Sequence, residues 1–352
     1  MKLKTPGSVV KAHDINRFRF RDTPFVKLMN KRIYNILMVA SRYDMFILED
    51  DGRVDEQIFN EYTSLNLRYP PRFTQVGNSK EALAELKQNH YELIICMPNM
   101  DNSDTFDLAK QMKARYPDIP VVLLTPFSKA VTQSLGKSDL SGIDYVFSWL
   151  GDTDLLLAII KIIEDRMNVE HDVKTVGVQT VMLVEDSVRF YSSALPLLYK
   201  FVLSESKEFS KEALNDHLRM LRMRGRPKIL LARDYEEAVT YYKKYGDNML
   251  GVISDMSFNV DGEKDKVAGK RLGEWIRKKD RSIPIIYTSS ESDNRQYAAA
   301  VDAVFIDKNS KTFPQDLRRA IKENLGFGDF IITDPNTKQE IFRIKNLKEL
   351  QM

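Results

Sequence analysis

The stretch "VMLVEDS" (181–187) joins four apolar residues, the composition of a buried strand, directly to two carboxylates, Glu185 and Asp186. Two unscreened like charges about 4 Å apart repel by about 4 kcal/mol at an effective dielectric of 20. A cation beside the pair would offset this repulsion, whereas the solvated start of a loop would only weaken it. The rest of the chain distinguishes the two explanations.

Apolar strand-like runs alternate with amphipathic helical stretches along the 352-residue chain, and the whole alternation occurs twice. Alternation of this kind is typical of βαβ units that form a parallel sheet. We therefore predict an α/β fold with two doubly wound, five-stranded parallel-sheet domains in tandem. The recognisable strands are 34–40, 92–97, 119–125 and 143–149 in the first copy and 180–184, 228–232, 250–254, 283–289 and 303–308 in the second.

Charge and composition change along the chain and suggest domain boundaries. The first 32 residues carry nine Lys and Arg against two Asp, which predicts a basic arm that contacts nucleic acid, an anionic surface or the neighbouring domain. The predicted organisation is an arm at 1–32, a first domain at 33–168, a polar linker at 169–179, a second domain at 178–326 with a helical insert at 205–227, and a hairpin followed by the start of a helix at 327–352.

Composition and motif content exclude several classes of protein. No apolar run approaches the ~18 residues that span a membrane. The single cysteine, Cys96, cannot form an internal disulfide, which favours a reducing, cytoplasmic setting. The sequence contains no glycine-rich phosphate loop and no Cys/His zinc pattern, and the residues after 326 are too few for a winged-helix DNA-binding domain. We expect a cytoplasmic protein with no membrane span and no DNA-binding domain in this chain.

Polar side chains follow four predicted strands of the second copy. They are Glu185 and Asp186, Asp255, Ser289 and Lys308. Ligands of doubly wound sheets bind outside the carboxyl ends of the strands, where these residues would meet. Mg²⁺ takes one or two carboxylates, which leaves another carboxylate free to attack a phosphoryl group. Lys308 could then pair with the phosphate and Ser289 could donate a hydrogen bond to it.

The order of these residues resembles the receiver domain of bacterial two-component response regulators, which has a flavodoxin-like fold. The matching motifs are "LVEDS" (183–187), "VISDMS" (252–257), "IPIIYTSS" (283–290) and "VFIDK" (304–308). The resemblance implies that Asp255 is the phosphoacceptor, that Lys308 and Ser289 assist it, and that Ser289 and Phe305 form the switch pair. The ligands implied for Mg²⁺ are the side chains of Glu185, Asp186 and Asp255 and the main-chain carbonyl of Ser257.

The resemblance also implies partners rather than an enzymatic role. A cognate histidine kinase or phosphotransfer protein would supply the phosphoryl group, and a protein partner or downstream domain would receive the signal. The only chemistry expected of the domain itself is its own phosphorylation and hydrolysis. The second copy departs from the family in two places, the insert at 205–227 and the long, charged loop "MSFNVDGEKDKVAG" (256–269) after Asp255.

The first copy has the same predicted strands without the same chemistry. Counted as for a receiver, the phosphoacceptor position falls on a thioether and the lysine position on a hydroxyl. The corresponding residues are Ala40 and Ser41 for the acidic pair, Met97 for the phosphoacceptor, Thr125 for the hydroxyl and Ser148 for the lysine. We predict a degenerate pseudo-receiver, even if "FILEDDG" (46–52) rather than 34–40 were the first strand.

Two alternatives to a phosphorylated signalling module stay open. Both domains could serve as a scaffold that does not depend on phosphorylation. The tandem also resembles the N-terminal part of bacterial proteins related to phosphoenolpyruvate synthase, which would make it a regulatory segment of a larger enzyme. In each case we expect the two domains to pack through a helix that follows a fourth or fifth strand.

Overall fold

Two five-stranded sheets, each with all its strands parallel, form the frame of the computed structural model. The described residues are 25–49, 53–65, 67, 69–98, 104–126, 139–149, 151–210, 223–325, 330–333 and 340–344. The strands of the first half are β1 (Asn35–Val39), β2 (Arg72–Val76), β3 (Leu93–Cys96), β4 (Val121–Pro126) and β5 (Tyr145–Trp149). Its helices are α1 (Arg42–Leu48), α2 (Val54–Ser64), α3 (Ser79–Gln88), α4 (Asp104–Arg115) and α5 (Asp154–Val176).

The second half repeats this plan with one addition, a small hairpin after its third sheet strand. Its strands are β6 (Thr180–Val184), β7 (Lys228–Ala232), β8 (Met249–Asp255), β9 (Phe258–Val260), β10 (Glu263–Asp265), β11 (Ile285–Ser289) and β12 (Val304–Asp307). Its helices are α6 (Val188–Ser210), α7 (Tyr235–Tyr245), α8 (Ala268–Arg277), α9 (Arg295–Ala300) and α10 (Phe313–Asn324). An antiparallel pair, β13 (Phe330–Thr333) and β14 (Glu340–Ile344), follows.

Both sheets have the strand order of a flavodoxin-like fold. The orders are β2-β1-β3-β4-β5 and, read from the opposite edge, β7-β6-β8-β11-β12. The predicted fold class, two doubly wound parallel sheets in tandem, is therefore confirmed. The strands β3, β6 and β7 are buried along their whole length because helices cover both faces of a parallel sheet, which explains their continuous apolar runs.

A single continuous core joins the two halves. The inner faces of both sheets belong to one cluster of buried side chains, which also includes residues of α2, α5, α6 and α10. The outer faces have separate clusters, with α3 and α4 on the first sheet and α7, α8 and α9 on the second. Helix α5, which follows the fifth strand of the first sheet, packs against α6 and β7 of the second half. The expected packing through a fifth-strand helix is confirmed.

The predicted linker at 169–179 is wrong for most of its length, because α5 continues through it to Val176 and ends at Gly177 (φ 71°). One charged residue of this segment, Asp172, is not solvated, whereas Glu170, His171 and Lys174 are exposed. Asp172 is buried, accepts the backbone N–H of Met29 at 3.2 Å and pairs with the buried Lys228 at 3.1 Å. These partners satisfy the charge that made the segment look like a linker.

A second buried ion pair joins α5 to the second half. The Asp165 carboxylate accepts two hydrogen bonds from the Arg226 guanidinium, at 2.7 and 2.9 Å, and one from the Tyr199 hydroxyl at 2.8 Å. Both charged side chains are at most 1% exposed. Burial disfavours the charge of Arg226, but the adjacent Asp165 outweighs that effect and the pKa of the guanidinium is raised. Such a bidentate pair fixes the position of α5 relative to β7.

The observed helices and strands can be compared with three further segments predicted from the sequence. The alternative first strand at 46–52 is wrong, since α1 occupies 42–48 and β1 lies at 35–39. The start of the insert at 205–227 continues α6 as far as Ser210, and 211–222 lie outside the described residues. The strands of the C-terminal hairpin are present, whereas its turn and the helix predicted after it lie outside the described residues.

Of the basic arm at 1–32, residues 1–24 also lie outside the part of the chain that the structure describes. The rest of the arm runs along α5, where Leu28 is buried and the backbone N–H of Lys31 donates to Asn168 at 2.9 Å. These contacts agree with docking of the arm on the neighbouring domain. No helix among the described residues is long and apolar enough to cross a membrane.

Candidate functional site

The carboxyl ends of β6, β8 and β12 bring three carboxylates and a lysine together at one edge of the second sheet. One oxygen each of Glu185, Asp186 and Asp255 lies within 4.8 Å of the others. They meet because the three strands are parallel members of one sheet, with β6 beside β8 and only β11 between β8 and β12, so that their carboxyl ends fall at the same edge. Among the described residues this is the one group of carboxylates, histidines and cysteines that could hold a metal ion.

Lys308 lies between two of these carboxylates. Its Nζ atom is 2.5 Å from Glu185 Oε2 and 2.9 Å from Asp255 Oδ1, and its side chain is only 3% exposed. The ammonium also lies 4.1 Å from the centre of the Phe190 ring, a cation–π contact. Burial raises the pKa of Glu185 to about 7, against the opposing attraction of Lys308. Lys308 thus meets the carboxylates at the strand ends, and its pairing with a phosphoryl group stays a prediction.

The donor set fits a hard divalent cation such as Mg²⁺, which prefers oxygen ligands and near-octahedral geometry. The three carboxylates and the carbonyl of Ser257 would hold it, the ligand set that the resemblance to receiver domains implies. Asp186 and Asp255 are partly exposed, so water molecules could complete the coordination. Two of these ligands have a partner that the sequence analysis did not identify. The ammonium of Lys264 donates to Asp186 Oδ2 at 2.6 Å and to the Ser257 carbonyl at 2.9 Å.

The hairpin β9–β10 brings Lys264 to this position. Asp261 and Gly262 form its two-residue turn with φ of 51° and 82°, the positive values that a type I′ turn needs. The Asp-Gly pair in "NVDGEK" (259–264) is the sequence signal that could have predicted the hairpin. The departure noted in the loop after Asp255 is therefore an ordered hairpin that returns a cation to the cluster.

The two predicted switch residues contact the segment between β11 and α9 rather than the acidic cluster. The Ser289 hydroxyl accepts hydrogen bonds from the Asn294 amide at 2.8 Å and from the backbone N–H of Glu291 at 3.0 Å. The guanidinium of Arg295 stacks over the ring of Phe305, 5.0 Å from its centre. Ser289 and Phe305 are thus joined to adjacent residues, Asn294 and Arg295, at the start of α9.

The equivalent strand ends of the first half carry no such cluster. Ala40 and Met97 are buried members of the shared core, and Ser41 is the N-cap of α1, accepting from the backbone N–H of Asp44 at 3.1 Å. The Thr125 hydroxyl donates to the carbonyl of the next residue, Pro126, at 3.0 Å. The three positions predicted to lack the acidic pair and the phosphoacceptor, Ala40, Ser41 and Met97, have local or core contacts instead, and the retained hydroxyl of Thr125 has a local one.

One of these equivalences needs correction. Thr125 pairs with Ser148 in the first sheet, and Ser289 pairs with Asp307 in the second. The residue aligned with Lys308 is therefore Trp149, not Ser148, because the predicted count was one residue short. Ser148 instead donates its backbone N–H to the hydroxyl of Ser192 in α6, at 2.9 Å. Trp149 is buried and carries no charge, so the absence of a cation at this strand end stands.

No protein-family model and no curated protein matches the chain. Among solved structures it is similar to a "probable two-component system response regulator/GGDEF domain protein", at 13% identity over 83% of this chain and 98% of that one, with a TM-score of 0.32. A second protein of the same description has 14% identity and a TM-score of 0.33, with the same coverage. NtrX from Brucella abortus in complex with ADP has 12% identity over 79% of this chain and 67% of that one, with a TM-score of 0.29.

Likenesses this distant carry no weight for the function of this chain. The flavodoxin-like fold is established by its own strand order, and the candidate site by its own contacts. The resemblance to proteins related to phosphoenolpyruvate synthase stays a prediction.

Proposed function

We propose that the second half is a receiver-type signalling domain that accepts a phosphoryl group on Asp255 with the help of Mg²⁺. The observation that carries this proposal is the contact of Lys308 with both Asp255 and Glu185 inside a cluster of three carboxylates. Strand-end carboxylates are needed neither for the sheet nor for the core, and their mutual repulsion opposes folding. A cluster of this kind is typical of a functional site rather than of a structural one.

In the proposed reaction, an oxygen of Asp255 attacks the phosphorus of the donor. The new P–O bond to Asp255 forms as the bond to the leaving group breaks, and the leaving group departs with that electron pair. Lys308 is near enough to Asp255 Oδ1 to pair with an oxygen of the added phosphoryl group. Mg²⁺, when bound, supplies positive charge that offsets the charge of the phosphoryl oxygens.

The switch would use contacts that already exist at Ser289. Its hydroxyl accepts from Asn294 and Glu291, and in the proposed switch it gives up these bonds when the side chain moves toward a phosphoryl oxygen to donate its own hydrogen. Release of Asn294 would free the start of α9, where Arg295 covers Phe305. The signal would pass to a protein partner or downstream domain through this changed surface, with a histidine kinase or phosphotransfer protein as the phosphoryl source.

For the first half we propose a role as a pseudo-receiver that holds and positions the second. The shared core and the buried pair between Asp165 and Arg226 support that role. The second candidate, a scaffold that acts without phosphorylation, would use the same core and the same ion pair. We further propose a cytoplasmic location, which the lone buried thiol of Cys96 supports.

The test is phosphorylation of the full chain by acetyl phosphate with Mg²⁺, read by intact mass. We expect one phosphoryl group on the wild-type chain and on Met97→Ala, and none on Asp255→Asn. Asp302→Asn, the same change at an exposed surface position, is the matched control and should remain competent. Phosphorylation of Asp255→Asn at the wild-type level would overturn the proposal, and a wild-type chain that stays unmodified while binding its partner would favour the scaffold.

A further inference from the structure

The cation that contacts the predicted metal ligands in this structure belongs to the chain itself. Lys264 Nζ makes two hydrogen bonds, one to Asp186 and one to the main-chain carbonyl of Ser257. These are two of the four oxygen groups that would hold Mg²⁺. An ammonium at hydrogen-bond distance from both oxygens competes with a divalent ion that coordinates them, because both cations need the same oxygen atoms and repel each other.

The backbone of Lys264 is anchored by its neighbours, whereas its side chain lies half-exposed at the surface. The preceding strand begins with the buried Phe258, and Asn259 bridges to Asp234 beside β7. The turn is fixed by the backbone N–H of Asp261, which donates to Glu236 at 3.1 Å. On the other side, Asp265 pairs with Arg271 at 3.2 Å. The side chain of Lys264 itself is 52% exposed, so it can swing into solvent without unfolding the hairpin.

We propose that Lys264 is a tethered competitor of the divalent ion at this site. With no metal bound, its ammonium neutralises Asp186 and holds the loop after Asp255 closed through the Ser257 carbonyl. Metal binding displaces the ammonium. The position of the Lys264 side chain on the β9–β10 hairpin therefore differs between the metal-free and the metal-bound site. The proposal rests on the proposed function, since it concerns the metal site of the same phosphoacceptor, and it adds a residue that sets the affinity of that site.

The consequence is a metal affinity lower than the carboxylate cluster alone would give. Removing the Lys264 charge takes away both a competitor for two ligands and a like charge beside the ion. We expect Lys264→Gln to bind Mg²⁺ about tenfold more tightly than the wild-type chain, within the usual range of coupling between sites. Lys264→Arg, which keeps the charge, should remain near the wild-type affinity.

The experiment is a calorimetric titration of the full chain with MgCl₂, which measures binding without any phosphoryl donor. Lys266→Gln is the matched control, because it removes the same charge from an exposed position two residues further along the same loop. A tenfold lower Kd for Lys264→Gln and an unchanged Kd for Lys266→Gln support the proposal. The same gain in both variants would overturn it, since the effect would then be general electrostatics.

Two further outcomes separate this proposal from the proposed function. If all variants bind Mg²⁺ equally and Asp255 is still phosphorylated, Lys264 is no competitor and the phosphoacceptor assignment is unaffected. If neither the wild-type chain nor Lys264→Gln binds Mg²⁺, both the competition and the metal-assisted part of the proposed function are overturned. Circular dichroism of each variant without metal verifies that the substitutions leave the fold intact.

Discussion

The two halves of the molecule have sheets with the same strand order, but the residues at the carboxyl ends of their strands differ in chemical character. In the second half, β6, β8 and β12 end in charged residues that face one another, Glu185, Asp255 and Lys308. At the aligned positions of the first half, Ala40, Met97 and Trp149 are buried and apolar. The same strand order therefore occurs with two kinds of strand end. Those of the first half extend the apolar core, and those of the second half place charged side chains beside it.

This difference also separates stability from function within one chain. Apolar strand ends add buried surface, whereas a carboxylate cluster requires cations to offset its repulsion. The first half therefore has apolar strand ends and packs against α6 without a reactive cluster. The second half has a carboxylate cluster that folding alone does not need. The contrast should appear in the stability of variants, most strongly at the contacts that join the halves.

The largest effect is expected from the ion pair that joins the halves. Arg226→Met leaves the Asp165 carboxylate buried without its cation, which should lower the free energy of unfolding by about 3–5 kcal/mol. Urea denaturation can follow each half separately, because the two tryptophans, Trp149 and Trp275, lie in different halves. In two chains that each retain one tryptophan, with the other replaced by Phe, Arg226→Met should shift the urea midpoint of the tryptophan fluorescence by the same amount.

The control for that experiment is Lys174→Met, which removes an exposed partner of Glu170 and should leave the free energy of unfolding nearly unchanged. A shift in only one of the two tryptophan signals would mean that the halves unfold independently and that the shared core does not couple them. Adding Asp165→Leu to Arg226→Met should recover most of the loss, because it removes the unpaired charge.

A reciprocal exchange of strand-end residues comes next. Met97→Asp places a carboxyl group where the thioether is only 5% exposed, and it should cost about 2–3 kcal/mol, with no gain in phosphorylation. Asp255→Met removes one of three mutually repelling carboxylates and should change stability by less than about 1 kcal/mol. Equal losses from the two exchanges, measured by thermal denaturation in metal-free buffer, would contradict the proposed contrast.

The smallest effect concerns the hydroxyl that both halves retain. Ser289→Ala should lower stability by about 1–2 kcal/mol, since it removes the acceptor of two hydrogen bonds and leaves the buried Asn294 amide without it. Thr125→Val, the equivalent change in the first half, loses one local bond to Pro126 and should cost less than about 1 kcal/mol. A larger loss at Thr125 would show that the first half also uses its hydroxyl.

Sequence reasoning recovered the buried strands and their polar ends because both have local signals. It missed β2, whose residues "RFTQV" (72–76) lie at a sheet edge, where none of them is fully buried, so that no apolar run marks them. It also ended α5 too early, since Asn168 and Asp172 look like solvated residues until their partners from distant segments are known. Burial of a charge depends on tertiary contacts that no local pattern contains.

The same reason explains what was missed at the site. Glu185, Asp255 and Lys308 were predicted to meet because parallel strand ends fall at one edge. The contact of Lys264 with Asp186 depends on the hairpin that the Asp261–Gly262 turn creates, and its register was not predicted. The Asp-Gly pair signals such a turn, but only the three-dimensional structure shows which side chain then faces the cluster.

The buried charges of α5 also have a consequence for how the protein is made. Asp165 lies 61 residues before Arg226 in the chain. At a synthesis rate of ~5–20 residues per second, Arg226 is therefore added about 3–12 s after Asp165. Until then the first half has an apolar helix with an unpaired carboxylate and no second sheet to cover it. A nascent chain arrested before residue 226 should therefore be a target for chaperones, and slow codons before this point would prolong the exposure.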